Sequence, residues 1–358
     1  MVLTLENCCN YLLSFGFIDK KSIIEGDLLI RDASSRNTNF LVNRFQDKSK
    51  NILIKQPDIL DKDYIQSMEI EANIYKMIYS KVEFEEIRAF IPEYLKYDEE
   101  NHILIMKQLN GVCRIFDYFY YGPFTADSCI ISGFADCLAA MHNIPNEVLK
   151  NSSLKEAYPW FLDVSNKDYQ KNIKDNYPIA YDVMKEVFNN KAWMKTLKKA
   201  RNSWKTGSFI HLDVRFTNWM ISYRHQAGTD SPIWLIDWEM AGIGDPAWDL
   251  SFLIGDWITL GHYLKENYEK KFPNVEKKTI QQINLFWHIY CNKRNFNDVE
   301  KKELKSRLAQ FLLVKFFLVL YELLLDYSDD KKAISDSLAF FKLQMLNSNQ
   351  ITEIYFYE

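Results

Sequence analysis

Apolar and polar positions alternate over three short stretches near the start of the chain. LLIRDASS (28–35) meets NFLVNRF (39–45) through the polar Arg36, Asn37 and Thr38, and DKSK (47–50) leads into NILIKQ (51–56). Alternation with a period of two, broken by polar turns, predicts an antiparallel meander. The period then changes. In KDYIQSMEIEANIYKMIYS (62–80), Ile65, Met68, Ile74, Met77 and Ile78 recur three, four or six apart, which predicts a helix with one broad apolar face. IPEYLKYD and HILIMKQL read as two further strands with a turn at 98–101. A short amphipathic helix over 4–15 precedes them all. The first 110 residues thus read strand, strand, strand, helix, strand, strand, and the break at Leu109, Asn110 and Gly111 ends the pattern.

Beyond that point helical periodicity dominates. ADSCIISGFADCLAAMHNI (126–144) is a strong helix candidate, and 155–204 hold two or three more. A β-rich interruption over 208–237 carries most of the polar motifs, and from Asp245 onward the pattern is helical again. The expectation is an α+β, two-lobed chain: a small antiparallel-sheet lobe over 1–110 and a larger helical lobe over 111–358. With 358 residues, 47% of them apolar, the chain can bury a large core. A net charge of −4 lacks the basic excess of a nucleic-acid binder. The six cysteines show no CxxC spacing, and the adjacent Cys8 and Cys9 are poorly placed to bridge each other, so reduced thiols and a cytoplasmic location are expected. The N-terminal segment lacks the basic lead and apolar core of a signal peptide. The longest apolar run, 312–325, is short for a membrane span and is interrupted by Lys315 and Glu322. It reads as a buried helix, with no membrane partner.

The chemistry concentrates in FIHLDVRFTNWMI (209–221) and IWLIDWEMAGIGDPAWDL (233–250). His211, Asp213, Arg215 and Asn218 fall within eight residues between apolar flanks. Burying such groups is costly unless a hydrogen-bond network or a catalytic site uses them. Ile233 to Ile236 form an apolar strand ending in Asp237, a carboxylate well placed to hold a cation. Phosphoryl transfer needs such a set: a base for the attacking hydroxyl, oxygen ligands for Mg²⁺ and a cation against developing charge. Protein kinases place the base and an Asn ligand five apart, with a second Asp beyond the next hairpin. Asp213 and Asn218 are five apart, and Asp237 lies 24 residues beyond Asp213, across the polar turn YRHQAGTDSP (223–232).

His211-Leu-Asp213-(four residues)-Asn218, then Ile-Asp237-Trp-Glu239, then Gly244-Asp245-Pro246-(two residues)-Asp249-Leu250, resembles the aminoglycoside phosphotransferase and choline kinase superfamily. Its usual blocks are HGDxxxxN, (I/V)DW/FE and GDPxxDL. The resemblance implies a protein-kinase-like bilobal fold, with ATP and Mg²⁺ as cofactors. It implies Asp213 as catalytic base and Asn218 and Asp237 as metal ligands; Arg215, two residues after the base, is a cation placed to approach the transferred phosphate. Leu212 stands where Gly is usual, which suits the loop if that residue avoids a positive φ. His211 and Asp249 read as braces of the loop, Asp245-Pro246 as a helix cap, His142 as structural, and Glu239 as a residue of either the metal surroundings or the surface.

The front half agrees. Such a kinase needs a Lys on the third strand held by a Glu on the next helix. Lys55 lies in NILIKQ, and Glu71, followed by Ala, is favoured over Glu69. HILIMKQLNG is similar to the family's hinge, so backbone groups of Lys107, Gln108 and Leu109 would read adenine, with Met106 at the rear of the pocket. The phosphate loop over 34–39 contains no glycine.

The acceptor is a hydroxyl-bearing compound. One reading is a small molecule of aminoglycoside, amino-alcohol or sugar type, bound between the lobes and walled by the helical tail. There Glu322 and Asp326, four apart, would offer an acidic face to a cationic acceptor. A second is Ser or Thr of a peptide, as in ribosomal-peptide (lanthipeptide-like) maturation. Arg215 favours it, because protein Ser/Thr kinases commonly carry Lys two after the base where many antibiotic kinases carry His. A third is an inactive kinase-fold binding module, against which the joint presence of Lys55, Asp213, Asn218 and Asp237 argues.

Overall fold

The computed structural model describes residues 1–34, 37–122, 124, 126–223, 233–326, 330–348 and 350–356. Ser35 and Arg36 of the phosphate loop, most of the turn over 223–232, the helix end at Tyr327 and the side chain of Asp326 lie outside the described residues. The chain divides into two compact units, one of residues 1–114 and 218–241, the other of 115–217 and 242–358.

The first unit begins with helices α1 (Leu5–Ser14) and α2 (Lys20–Ile24). Strands β1 (Leu29–Asp32), β2 (Thr38–Asn43) and β3 (Ile52–Gln56) follow, then helix α3 (Lys62–Ser80) and strands β4 (Tyr94–Asp98) and β5 (Ile103–Lys107). These strands form an antiparallel sheet in the order β1-β2-β3-β5-β4. Period-two patterning explains the packing. Phe40, Val42, Ile52, Ile54, Ile103 and Ile105 point to one face and bury against Cys8, Tyr11 and Leu12 of α1. The alternate positions of β3 then carry Lys55 to the opposite face. Asp61 caps α3 by accepting from the backbone N–H of Asp63 and Tyr64.

A three-residue strand, β6 (Val112–Arg114), follows Gly111, where sequence periodicity suggested that helices begin. Gly111 has φ +66°, a left-handed turn suited to glycine, and its carbonyl accepts from Tyr223 N–H at 2.8 Å. Strands β8 (Trp219–Ser222) and β9 (Ile233–Leu235) pair antiparallel with β6 in the order β6-β8-β9. The first unit therefore takes in the hairpin of 219–235, although the sequence reading drew its boundary at Gly111 and left this segment with the helical part.

The second unit is helical. It contains α4 (Ile115–Tyr121), α5 (Ser128–His142), α6 (Asn146–Lys150), α7 (Lys167–Asn176), α8 (Pro178–Phe188) and α9 (Lys191–Ser203). After strand β7 (Ser208–Ile210), paired with β10 (Gly242–Gly244), come α10 (Pro246–Tyr268), α11 (Val275–Lys293), α12 (Asp298–Asp326), α13 (Lys331–Leu346) and α14 (Ile351–Tyr355). Asp245 caps α10 through Ala247 N–H, with Pro246 in its first turn, as the sequence suggested. Within α12 a stretch is long and apolar enough to cross a membrane by composition, but 72% of it is buried inside the protein. Aromatic rings supply much of that packing: Phe317 meets Phe161, Trp193 and Phe341 at centroid separations of 5.3, 4.8 and 5.3 Å. All six cysteines are free thiols.

Candidate active site

In the first unit, strand register and helix packing bring three charged residues together. Lys55 Nζ lies 2.6 Å from Glu71 Oε2 and 3.7 Å from Asp237 Oδ1. Glu71, not Glu69, is the partner, because Glu71 faces the sheet and is buried, whereas Glu69 Oε1 lies 3.5 Å from His102 Nδ1. Burial works against a charged Lys55, yet the negative charges of Glu71 and then Asp237 hold its ammonium above the ordinary lysine range. Burial pushes the Glu71 carboxyl up, opposed by Lys55 and reinforced by Asp237 and Glu239. Three carboxylates thus act on one ammonium, a local excess of negative charge suited to a further cation.

Asp237 follows β9 with φ +71°, in the left-handed region. Asp visits that region more readily than most residues, and strain of this kind gathers at functional sites. Ile236 N–H donates to Asn218 C=O at 2.9 Å, so Asn218 and Asp237 leave the same end of the β8–β9 hairpin. Trp238 is fully buried and donates its indole N–H to Leu235 C=O at 3.0 Å, anchoring the chain just after Asp237.

The expected base-reading segment is partly engaged. Met106 is buried. Lys107 N–H donates to Glu93 C=O at 2.8 Å, and Gln108 N–H to Asn51 C=O at 3.1 Å. Lys107 Nζ donates to Ser49 C=O. Gln108 C=O accepts from Asn110 Nδ2 at 3.2 Å, so among the described residues Leu109 N–H is the backbone donor of this segment left for a ligand. In the described part of the phosphate loop, Ser34 N–H donates to Asp32 Oδ1 at 2.7 Å and Asn39 N–H to Ser34 Oγ at 3.1 Å. Side chains stabilise a turn that lacks glycine.

In the second unit the loop 211–216 is fixed from α10 and α12. The buried Asp249 of α10 accepts from His211 N–H at 2.8 Å and Leu212 N–H at 2.9 Å. Its Oδ2 lies 3.3 Å from His142 Nε2, and His142 Nδ1 lies 2.8 Å from Tyr290 Oη. A carboxylate can only accept, so Nε2 carries the imidazole proton and Nδ1 accepts from the Tyr290 hydroxyl. Burial pushes the His142 pKa down, which suits this neutral tautomer. His142 and Asp249 are therefore structural supports, in line with the sequence reading.

Leu212 departs from its expected conformation. It has φ +70°, so the substitution of Leu for the usual Gly does not avoid the left-handed region. A non-Gly residue there costs about 1–2 kcal/mol. Three contacts oppose that cost: the N–H bond to Asp249, a bond from Trp248 Nε1 to Leu212 C=O at 3.0 Å, and burial of the side chain.

Asp213 and Arg215 meet directly, with Arg215 Nε 2.6 Å from Asp213 Oδ1. The same guanidinium reaches Glu322 of α12 through Nη2 at 3.0 Å and Nη1 at 3.3 Å, a two-pronged pairing. Burial alone would lower the Arg215 pKa, but Asp213 and Glu322 raise it well above the usual arginine value. Glu322, expected on an open acidic face, instead holds Arg215. Two supports escaped the sequence reading. Asp256 Oδ2 accepts from Phe216 N–H at 2.7 Å, and Lys315 Nζ lies 3.1 Å from Asp256 Oδ1. Their signals were present: Asp256 is seven residues after Asp249, on the same helix face, and a lysine within an apolar helix demands a partner.

The fold is protein-kinase-like, an antiparallel five-stranded sheet followed by a mostly helical remainder. Residues 126–270 match the model of the phosphotransferase enzyme family. That match covers less than half of the chain, and over it the chain is similar to that family. A curated relative, 4-hydroxytryptamine kinase of Psilocybe cyanescens, is 25% identical over 214 residues, which are 54% of this chain and 56% of the relative. The chain thus spans little more than half the length of that relative. The ethanolamine kinase of Plasmodium vivax shares the fold with a TM-score of 0.58 at 14% identity, over 98% of this chain and 89% of that one. The GDP complex of aminoglycoside 2'-phosphotransferase-IIIa gives 0.53 at 14% identity, over 96% of this chain and 99% of that one.

Proposed function

We propose that this chain transfers the γ-phosphoryl group of ATP to the hydroxyl of a small, amine-bearing molecule. The observation that carries the nucleotide half is the Lys55–Glu71 pair at 2.6 Å with Asp237 beside it. Lys55, held rigid and charged, would take up the nucleotide phosphates. Leu109 N–H would read the base. The donor chemistry fits Mg²⁺: Asn218 and Asp237 offer hard oxygen ligands, and Lys55 leaves the surrounding carboxylates in excess. Among the described residues no cluster of three or more His, Cys, Asp or Glu side chains forms a metal cage. Once bound, the ion would neutralise charge on the phosphate oxygens.

Asp213 would take the acceptor's hydroxyl proton while the new O–P bond forms and the bond to ADP breaks. Arg215, fixed by Asp213 and Glu322, would set positive charge beside the base. The amine in the acceptor is suggested by the names of the relatives, 4-hydroxytryptamine kinase and ethanolamine kinase.

A turnover screen with ATP and Mg²⁺ tests the reading. The panel holds ethanolamine, choline, 4-hydroxytryptamine, aminoglycosides, simple sugars and Ser/Thr peptides. ADP formation should rise with at least one hydroxyl-bearing amine. Turnover with peptides alone would replace this reading by peptide phosphorylation, and ADP formation with none of the panel would count against it.

A further inference from the structure

Lys315 sits in the apolar run of α12 with only 2% of its side chain exposed. An ammonium so buried needs compensation. Two contacts provide it: Asp256 Oδ1 at 3.1 Å and the face of the Phe252 ring, whose centroid lies 4.2 Å away. The approach depends on Gly255, because a Cβ there would stand 2.8 Å from Lys315 Cγ. The other oxygen of Asp256 accepts Phe216 N–H at 2.7 Å. Phe216 follows Arg215, and Arg215 grips Asp213 at 2.6 Å.

Two carboxylates, two helical turns apart on α10, therefore take the two ends of one loop. Asp249 holds His211 and Leu212, and Asp256 holds Phe216. Lys315 pairs with Asp256, while Arg215 pairs with Asp213 and Glu322. Phe252 lies between the two cations, with Arg215 Cζ 5.8 Å and Lys315 Nζ 4.2 Å from its ring centroid.

We infer that the Asp256–Lys315 pair is a positioning element of the reaction. It touches neither substrate, but it fixes the C-terminal end of the loop that presents Asp213 and Arg215, and so acts on kcat. The inference rests on the phosphotransfer reading for its rate effect and on geometry alone for its effect on the loop. A purely structural pair would change stability and leave the rate of the folded enzyme unaltered.

The test measures hydrogen exchange of the peptide 209–221 and Mg²⁺-dependent ATP turnover with water as acceptor, on the same preparations. In Asp256→Ala the peptide should exchange about tenfold faster, while a peptide covering β3 is unchanged. Its kcat should fall about ten- to a hundredfold, with KM for ATP within about twofold of wild type. Asp256→Asn keeps an oxygen acceptor for Phe216 N–H and should recover most of both. Should Asp256→Ala fail to fold, the double variant Asp256→Leu with Lys315→Met replaces the pair by apolar groups and still lacks the acceptor, so it should show the same loop and rate defects. Unchanged exchange in the folded variants overturns the inference, as does faster exchange with an unaltered kcat. Faster exchange in the variants combined with a wild type that turns over no ATP, with water or any tested acceptor, sinks the phosphotransfer reading and leaves the loop anchor standing.

Discussion

Lys55 and Glu71 meet at 2.6 Å across 16 residues of chain, whereas Arg215 and Glu322 meet at 3.0 Å across 107. The first pair joins a strand to the very next helix, so its geometry follows from the local order of elements. The second joins a loop to a helix more than a hundred residues downstream, and only tertiary packing can set it. The charge balance differs as well. Around Lys55 three carboxylates act on one cation, an arrangement that still calls for positive charge. Around Asp213 the carboxylates of Asp213, Glu322 and Asp256 each have a cation in contact: Arg215 is shared by Asp213 and Glu322, and Lys315 pairs with Asp256. On the proposed reading, the first unit would receive the ion and the phosphates at this excess of negative charge. The second carries a loop whose shape is set beforehand by Asp249, Asp256 and Glu322, which on the proposed reading would hold the base ready without reorganisation.

The sharpest way to break this contrast is Asp249→Ala. The change removes the acceptor of two buried N–H groups, leaves His142 Nε2 without its carboxylate and releases Leu212 from its hold at φ +70°. Stability should fall by about 3–5 kcal/mol in urea titrations. A loss below about 1 kcal/mol would show that the loop does not depend on this carboxylate.

A smaller effect sharpens the same point through pH. Burial lowers the His142 pKa in the folded protein, whereas the unfolded chain titrates near the ordinary value of about 6.5. Below that value the unfolded state binds the extra proton, so stability rises with pH through this window and is lost as pH falls. The loss should approach, at most, about 1.4 kcal/mol per pH unit between pH 6.5 and the depressed folded value. His142→Gln should flatten the profile of thermal midpoint against pH in that range. A variant with the same slope as wild type would mean that His142 is not held neutral against Asp249 and Tyr290.

Legibility in the sequence follows the same divide. The sheet and α3 at 62–80 could be read because period and element order are local properties, and the Lys55–Glu71 pair because the family resemblance implies a Lys on the third strand held by a Glu on the next helix. The motif blocks marked Asp213, Asn218, Asp237, Asp245 and Asp249 because their spacings are fixed by one loop, one hairpin and one helix start. Asp256 and Lys315 could not be matched from sequence, since nothing local says which face of α10 meets which face of α12. For the same reason nothing local in the sequence pairs Glu322 with Arg215. The strand β6 was too short for a period-two signal, and it was recognisable only through its pairing with β8. At Leu212 a local rule failed: its side chain argued against a positive φ, and buried hydrogen bonds from distant residues imposed one.

The central claim is that Asp213 is the base of a phosphotransferase whose nucleotide is held by the other set of residues. It is tested most directly by the steady-state turnover of Asp213→Asn with Mg·ATP and the best acceptor from the screen, alongside calorimetric titration of Mg·ATP into the same variant. The account expects turnover to fall by at least about a hundredfold. Mg·ATP affinity should stay within about twofold of wild type, because Lys55, Glu71 and Asp237 are untouched. Turnover above about a tenth of wild type would contradict the assignment of Asp213 as the base.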